Sequence, residues 1–187
     1  RSRVRHAAAA LGVSEALTYS FVSERELAAI GAPKPAVRIK NPLTEDRNVM
    51  RTSLLPGLLS ALSRSRRHGV PDVRMFAVGA RVLGRSASSP ALEFPEDREL
   101  PDEIPSFAAV LAGSRQRPLE KSAPIDVYDA KGLAIELVER VTLQSARCEN
   151  QPVEARLVHL HPRGAANVLV GDTLVGTFGP LHPDVID

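Results

Sequence analysis

The chain has no tryptophan, two tyrosines, five phenylalanines and one cysteine, Cys148, among its 187 residues. A single cysteine excludes an internal disulfide framework and fits a reducing compartment, so the cytoplasm is the expected location. No apolar run reaches the roughly 20 residues needed to span a bilayer. The opening Arg-Ser-Arg-Val-Arg-His is not followed by the apolar core of a signal peptide. A formal net charge of +2 is too small to imply nucleic-acid binding, although the arginine bias leaves local basic faces open. The length suits one substantial core or one domain of something larger. A start at Arg1 and an end just past His182-Pro183 read as a piece of a longer chain.

What is present is a regular alternation of helix and strand signals. Val4, Ala7, Ala8 and Leu11 make a helical stripe stopped by Gly12, and Ala16 to Val22 alternates with Leu17, Tyr19 and Phe21 on one side. Ser23 and Glu26 form a capping-box pattern for a short helix that Gly31 ends. Val37 to Lys40 reads as a brief strand. Asn41-Pro42 closes an extended segment, because the residue before proline is pushed out of the helical region. Thr52 or Ser53 then caps a helix that tolerates Pro56 in its first turn. In that helix Leu55, Leu58, Leu59 and Leu62 share a face, and Gly69 ends it.

Val73 to Leu83 carries apolar residues at both parities and is expected in the centre of a sheet, covered on both faces. Residues 84–105, rich in Ser, Pro, Glu and Asp, read as an exposed loop or insertion. Strands are expected at Phe107 to Ala112, Val153 to Leu160, Ala166 to Val170 and Thr173 to Phe178, with a hairpin turn at Gly171-Asp172. Asp126 opens a helix whose Ala134, Leu137, Val138 and Val141 share a face. The order gives one α+β domain over residues 1–187, a mainly antiparallel sheet flanked by helices.

Six segments in register resemble the β subunit of bacterial phenylalanyl-tRNA synthetase. They are Gly12 to Ala16 with Thr18-Tyr19-Ser20-Phe21; Asn41-Pro42 with Met50-Arg51-Thr52 to Pro56-Gly57; Met75 to Gly79; Asp126 to Gly132, which includes Asp129, Lys131 and Gly132; His161-Pro162; and His182-Pro183. One short motif is weak, and several in order are specific. The resemblance implies a catalytic-like domain with a class II synthetase fold, packed against an α subunit that carries the chemistry. ATP and Mg are then implied for the whole enzyme and no cofactor for this domain. The opening helix and strand resemble the first class II motif, which builds subunit interfaces, and Leu11 is the expected contact.

Class II cores are similar in placing an arginine for the ATP α-phosphate four residues after the glycine equivalent to Gly79. Leu83 stands there, with Arg81 and Arg85 nearby. Ala77 replaces the family's usual glutamate. The family's tRNA-binding, editing and anticodon-binding modules are not recognised in this stretch.

Other constellations read as structural. His159, His161 and His182 lack a third metal ligand at a suitable spacing, and His161 and His182 are expected to hydrogen-bond across loop backbones. Cys148 reads as an apolar filler, and Ser53 lacks a nucleophile elbow. Asp126 and Asp129 suit a helix N-terminus, while Gly132 would allow close approach of another element. Arg64, Arg66, Arg67 and His68 sit at a helix C-terminus, where the dipole favours cations. Contact with a tRNA backbone is the functional alternative for Arg64, Arg66 and Arg67. No catalytic, cofactor-binding or metal residue is assigned. The competing readings are a stand-alone module that binds a nucleotide, amino acid or RNA, and an independent small-molecule enzyme.

Overall fold

The structure is a computed structural model and describes residues 2–85, 100–115, 123–152 and 157–186. Its centre is the antiparallel pair of β4 (Val73–Leu83) and β5 (Asp102–Ala112), matched residue for residue from Val73 opposite Ala112 to Leu83 opposite Asp102. The two-residue β1 (Ser14–Glu15) runs parallel to β4 on its other side, so β4 is the middle strand. Successive side chains of a strand point to opposite faces, and the core divides accordingly. Phe76 is buried with Ala8, Val13 and Leu137, and Phe107 stacks on it at 5.6 Å from a diagonal position. Ala77 is buried with Leu58 and Val110 on the opposite face.

Helices therefore cover both faces of the sheet, as the mixed parity of Val73 to Leu83 predicts. α1 (Ser2–Ala10) and α4 (Val127–Thr142) supply the Phe76 side, and α3 (Leu55–Arg67) the Ala77 side. Between them, β2 (Phe21–Val22) pairs with β3 (Val49–Met50) over a small cluster of Val22, Val49 and Leu27. Leu27 belongs to α2 (Glu24–Ala29), whose Ser23–Glu26 capping box forms in both directions. A second antiparallel sheet, in the order β6 (Ala146–Asn150), β7 (Ala166–Val170), β8 (Thr173–Phe178), packs on α4. Gly171, at φ 57°, makes the β7–β8 turn, and the short α5 (Pro183–Ile186) follows.

Several expectations need correction. The segment Ala16 to Val22 is not one strand. Only its last two residues join a ladder, and Leu17 and Tyr19 are 93% and 65% exposed. Their alternation is real, but among the described residues no strand pairs with Leu17 to Ser20 in a ladder. Val37 to Lys40 contributes a single bridge, Arg38 with Val49. Neither Thr52 nor Ser53 is the N-cap of α3; Leu54 is, although Ser53 Oγ accepts from the Leu55 amide at 3.2 Å.

β5 begins at Asp102 rather than Phe107, which takes the end of the 84–105 segment into the sheet; residues 86–99 lie outside the described residues. Of the strand expected at Val153 to Leu160, residues 153–156 lie outside the described residues. The remainder is a turn ending in a Leu160–Leu181 bridge. The sequence gives no strong strand signal at β6, where Ala146 and Cys148 are half-buried and the other three residues are exposed.

α4 ends without glycine. Leu143 takes the left-handed conformation at φ 59° with its side chain 80% exposed. An L-residue there costs about 1 kcal/mol or more, and little packing is lost with the side chain. Leu143→Gly is therefore expected to raise the unfolding free energy by about 0.5–1 kcal/mol in urea titrations, after allowance for the greater freedom of glycine in the unfolded chain. Destabilisation would show that Leu143 makes a contact the exposure does not reveal.

Candidate functional site

Three of the six segments that carry the family resemblance, those around Thr18-Tyr19, Met50 to Gly57 and Met75 to Gly79, meet at Arg51. Its side chain is only 8% exposed overall and reaches across the molecule. Nε donates to the Ala80 carbonyl at 3.0 Å, and Nη1 lies 3.2 Å from Thr18 Oγ1, 3.4 Å from the Thr18 carbonyl and 3.3 Å from the Tyr19 carbonyl. The backbone continues the same link, with the Arg51 amide on the Ser20 carbonyl and the Val82 amide on the Arg51 carbonyl, each at 2.9 Å. Every acceptor of the guanidinium is neutral. Burial pulls its pKa below the usual arginine value, yet an arginine stays protonated in a protein. A charge so placed depends on those oxygens for its solvation.

Neighbouring signature residues shape the space for this side chain. A Cβ at Gly79 would lie 2.1 Å from Arg51 Nη2, so glycine leaves the channel open. A Cβ at Gly57 would lie 2.7 Å from Thr18 Cβ, so glycine lets the first turn of α3 meet the Thr18 segment. Thr52, fully buried, donates to the Pro33 carbonyl at 2.7 Å, and Pro56 is buried in the first turn of α3. The Met50 amide donates to the Val37 carbonyl at 3.0 Å. Arg51 therefore ties the extended 18–20 segment to the end of β4. No local sequence signal marks this bridge, since Arg51 stands between Met50 and the polar Thr52-Ser53.

Beyond Gly79, Leu83 lies at the end of β4, while Arg81 Nε donates to Ser106 Oγ at 2.8 Å and Arg85 pairs with Asp102 at 3.9 Å. Both arginines near the expected phosphate position thus have partners within the β4–β5 pair. Ala77 is buried against α3 and β5.

The late His-Pro turns pair with each other. The His161 amide donates to the Pro180 carbonyl at 2.8 Å and the His182 amide to the His159 carbonyl at 2.9 Å, and the two rings stack at 6.1 Å. The hydrogen bonds expected from His161 and His182 across the loop backbones are thus made by their main-chain amides. Each ring's Nδ1 instead accepts within its own turn, from the Arg163 amide at 3.2 Å and the Asp184 amide at 3.4 Å. His159 Nδ1 lies 3.0 Å from the Ile30 carbonyl, and burial lowers its pKa. Among the described residues no group of three His, Cys, Asp or Glu is placed to hold a metal.

At the start of α4, Asp126 and Asp129 form a reciprocal capping box. Arg115 binds both, at 2.6 Å to Asp126 and 2.9 Å to Asp129, and holds the Asp129 carboxyl below its ordinary pKa. Gly132 is corrected too, because a Cβ there would meet nothing within 4 Å. Burial raises the Cys148 pKa, which disfavours the thiolate. Arg64, Arg66, Arg67 and His68 are all exposed at the end of α3. Among the described residues the exposed large hydrophobic side chains include three on one short segment, Leu17, Tyr19 and Phe21, and the fully exposed Leu43. Arg47 stacks over the Tyr19 ring at 4.0 Å.

A central antiparallel sheet with an added parallel strand, covered by helices on both faces, defines a class II aminoacyl-tRNA synthetase-like fold. Two structures of pyrrolysyl-tRNA synthetase from Desulfitobacterium hafniense share it. One superposes with a TM-score of 0.62 at 16% identity over 94% of this chain and 55% of that one. The other gives 0.60 at 15% identity over 94% and 56%. At such identities the likeness establishes the fold alone.

Residues 1–187 match the phenylalanyl-tRNA synthetase beta chain CLM domain throughout, and the chain belongs to that family. Phenylalanine–tRNA ligase beta subunits are its curated relatives. That of Novosphingobium aromaticivorans is 38% identical over 186 residues, covering 97% of this chain and 22% of the relative. Those of Brucella abortus and Geobacter metallireducens are 33% and 32% identical over 99% of this chain and 22% of theirs. The chain thus spans about a fifth of the length of these relatives.

Proposed function

We propose that the chain is a synthetase-like, non-catalytic part of a phenylalanine–tRNA ligase β subunit, which supports phenylalanyl-tRNA formation by packing against the catalytic α subunit. The observation that carries this reading is the apolar run of Leu17, Tyr19 and Phe21, 93%, 65% and 42% exposed on a segment that Arg51 holds in place. An extended segment fixed by a buried arginine and left apolar toward solvent suits an interface prepared before its partner arrives. In this reading ATP and Mg belong to the α subunit's reaction, and the assembly is a cytoplasmic heterotetramer.

The arrangement around β4 supports the non-catalytic part. Leu83 stands at the ungapped position of the phosphate-binding arginine, and the nearby Arg81 and Arg85 are engaged with Ser106 and Asp102. Loss of a charge-stabilising group in comparable sites lowers rates by about a hundredfold or more. Phenylalanine-dependent pyrophosphate exchange is therefore expected from α with full-length β and not from β alone. Exchange by β alone that Arg81→Ala or Arg85→Ala abolishes would make this a catalytic core.

Arg64, Arg66 and Arg67 are the proposed tRNA-backbone contact. They have no acidic partner among the described residues and project from the last turn of α3. Replacing Arg64 and Arg67 with Gln in the assembled enzyme should weaken tRNA binding severalfold and make its logarithmic salt dependence shallower by about 1–2. An unchanged slope would remove the contact.

A further inference from the structure

Two segments that carry the family resemblance have side chains with no evident task inside the chain. Tyr128 and Lys131, one turn apart on α4, are exposed, and Tyr128 is 73% so. Arg163, in the first His-Pro turn, is also exposed. Among the described residues none of these three side chains has a hydrogen-bonding or ionic partner. All three line one open cleft of about 210 Å³ between α4, the second sheet and that turn, together with Cys148, Asn150 and Phe178.

The chemistry of the cleft is one-sided. Lys131, Arg163, the Tyr128 hydroxyl and the Asn150 amide can all donate, and two of them are cations. The one carboxylate on the lining, Glu149, is already paired with Arg147 at 3.0 Å. An exposed aromatic ring beside two unpaired cations is the combination that binds a nucleotide unit, the base stacking on the ring and the phosphate meeting the charges. This is the interleaved aromatic that the α3 arginine cluster lacks. The cleft is open and below the 300–1,000 Å³ typical of sites that enclose a small ligand. Its size therefore suits one unit of a polymer better than a free metabolite.

We propose that this cleft binds an unpaired nucleotide of an RNA chain, with Tyr128 as the stacking surface and Lys131 and Arg163 as the phosphate contacts. The proposal deepens the β-subunit reading and rests on it for the source of the RNA.

The test uses full-length β with its α subunit and a single-stranded RNA oligonucleotide carrying 4-thiouridine, photo-cross-linked and mapped by mass spectrometry. Cross-links are expected at Tyr128 or at the facing residues of the cleft. Tyr128→Ala should weaken oligonucleotide binding about tenfold, whereas Tyr128→Phe, which keeps the ring, should bind nearly as the parent does. The double variant Lys131→Glu, Arg163→Glu should abolish the cleft cross-link while α still co-purifies. Parent cross-links confined to other regions would overturn the proposal, as would a Tyr128→Phe loss equal to that of Tyr128→Ala. Release of α by the double variant would also overturn it, because the cleft would then be a protein contact. Failure of α to co-purify even with the parent chain would count against the subunit reading, and the parent cross-link would still decide the RNA site.

Discussion

Replacing Arg51 with methionine is expected to lower the unfolding free energy by about 3 kcal/mol, read from urea titrations. Methionine keeps much of the apolar stem and removes every donor. The Ala80 and Tyr19 carbonyls and the Thr18 oxygens lose this shared cation, and hydrogen bonds to a charged group contribute about 1.5–3 kcal/mol each in favourable cases. The two longer contacts, at 3.3 and 3.4 Å, add little, so the loss is set by the two shorter ones at about 1.5 kcal/mol each. Gly79→Ala should act through the same side chain, since its Cβ would fall 2.1 Å from Nη2 and displace the guanidinium.

The two substitutions are therefore expected to be non-additive, with Gly79→Ala costing about 2 kcal/mol in the parent and well under 1 kcal/mol once Arg51 is methionine. Equal costs in both backgrounds would mean that Gly79 serves β4 itself and that Arg51 has no part in its choice. Amide exchange should show the same event locally, with earlier exchange of the Arg51 amide bonded to the Ser20 carbonyl.

Arg51 also shows where the sequence was legible and where it was not. Local signals transferred well. The Ser23–Glu26 box, the helix start at Asp126, the 3.6-residue stripe of α3 and the two-faced pattern of β4 each depend on neighbours close in the chain, and each appears in the structure. The bridge from Arg51 to Thr18 and Ala80 joins residues about thirty positions apart, which no period encodes. The resemblance names Thr18, Arg51 and Gly79 without saying that they meet.

The errors have a physical cause as well. Alternation at Leu17, Tyr19 and Phe21 signals that one face will be covered, and nothing in a pattern says whether the cover comes from this chain. β6 leaves no such pattern in the sequence, because an edge strand packed by Ala146 and Cys148 needs no large apolar residue. At the proposed RNA cleft, Tyr128 and Lys131 come from α4 and Arg163 from a turn beyond β6, and only the fold brings them together.

Replacing Leu17 with aspartate is expected to weaken association of full-length β with α by about thirtyfold or more while leaving folding stability within about 0.5 kcal/mol. At 93% exposure the side chain has almost no packing to lose in the free chain. In a complex, burying a leucine contributes about 1.5–3 kcal/mol, and an aspartate there adds the cost of desolvating a charge. Leu11, the contact expected from the sequence, makes the control. It packs against the cluster of Ala8, Val13, Phe76 and Leu137, so Leu11→Asp should lower stability by about 2–3 kcal/mol and affect assembly only through unfolding. Affinity measured by titrating labelled β into α, beside urea titrations of each β variant, separates the two effects. A folded Leu17→Asp chain with undiminished affinity for α would place the interface elsewhere. The exposed run of Leu17, Tyr19 and Phe21 would then need another partner to account for its apolar surface.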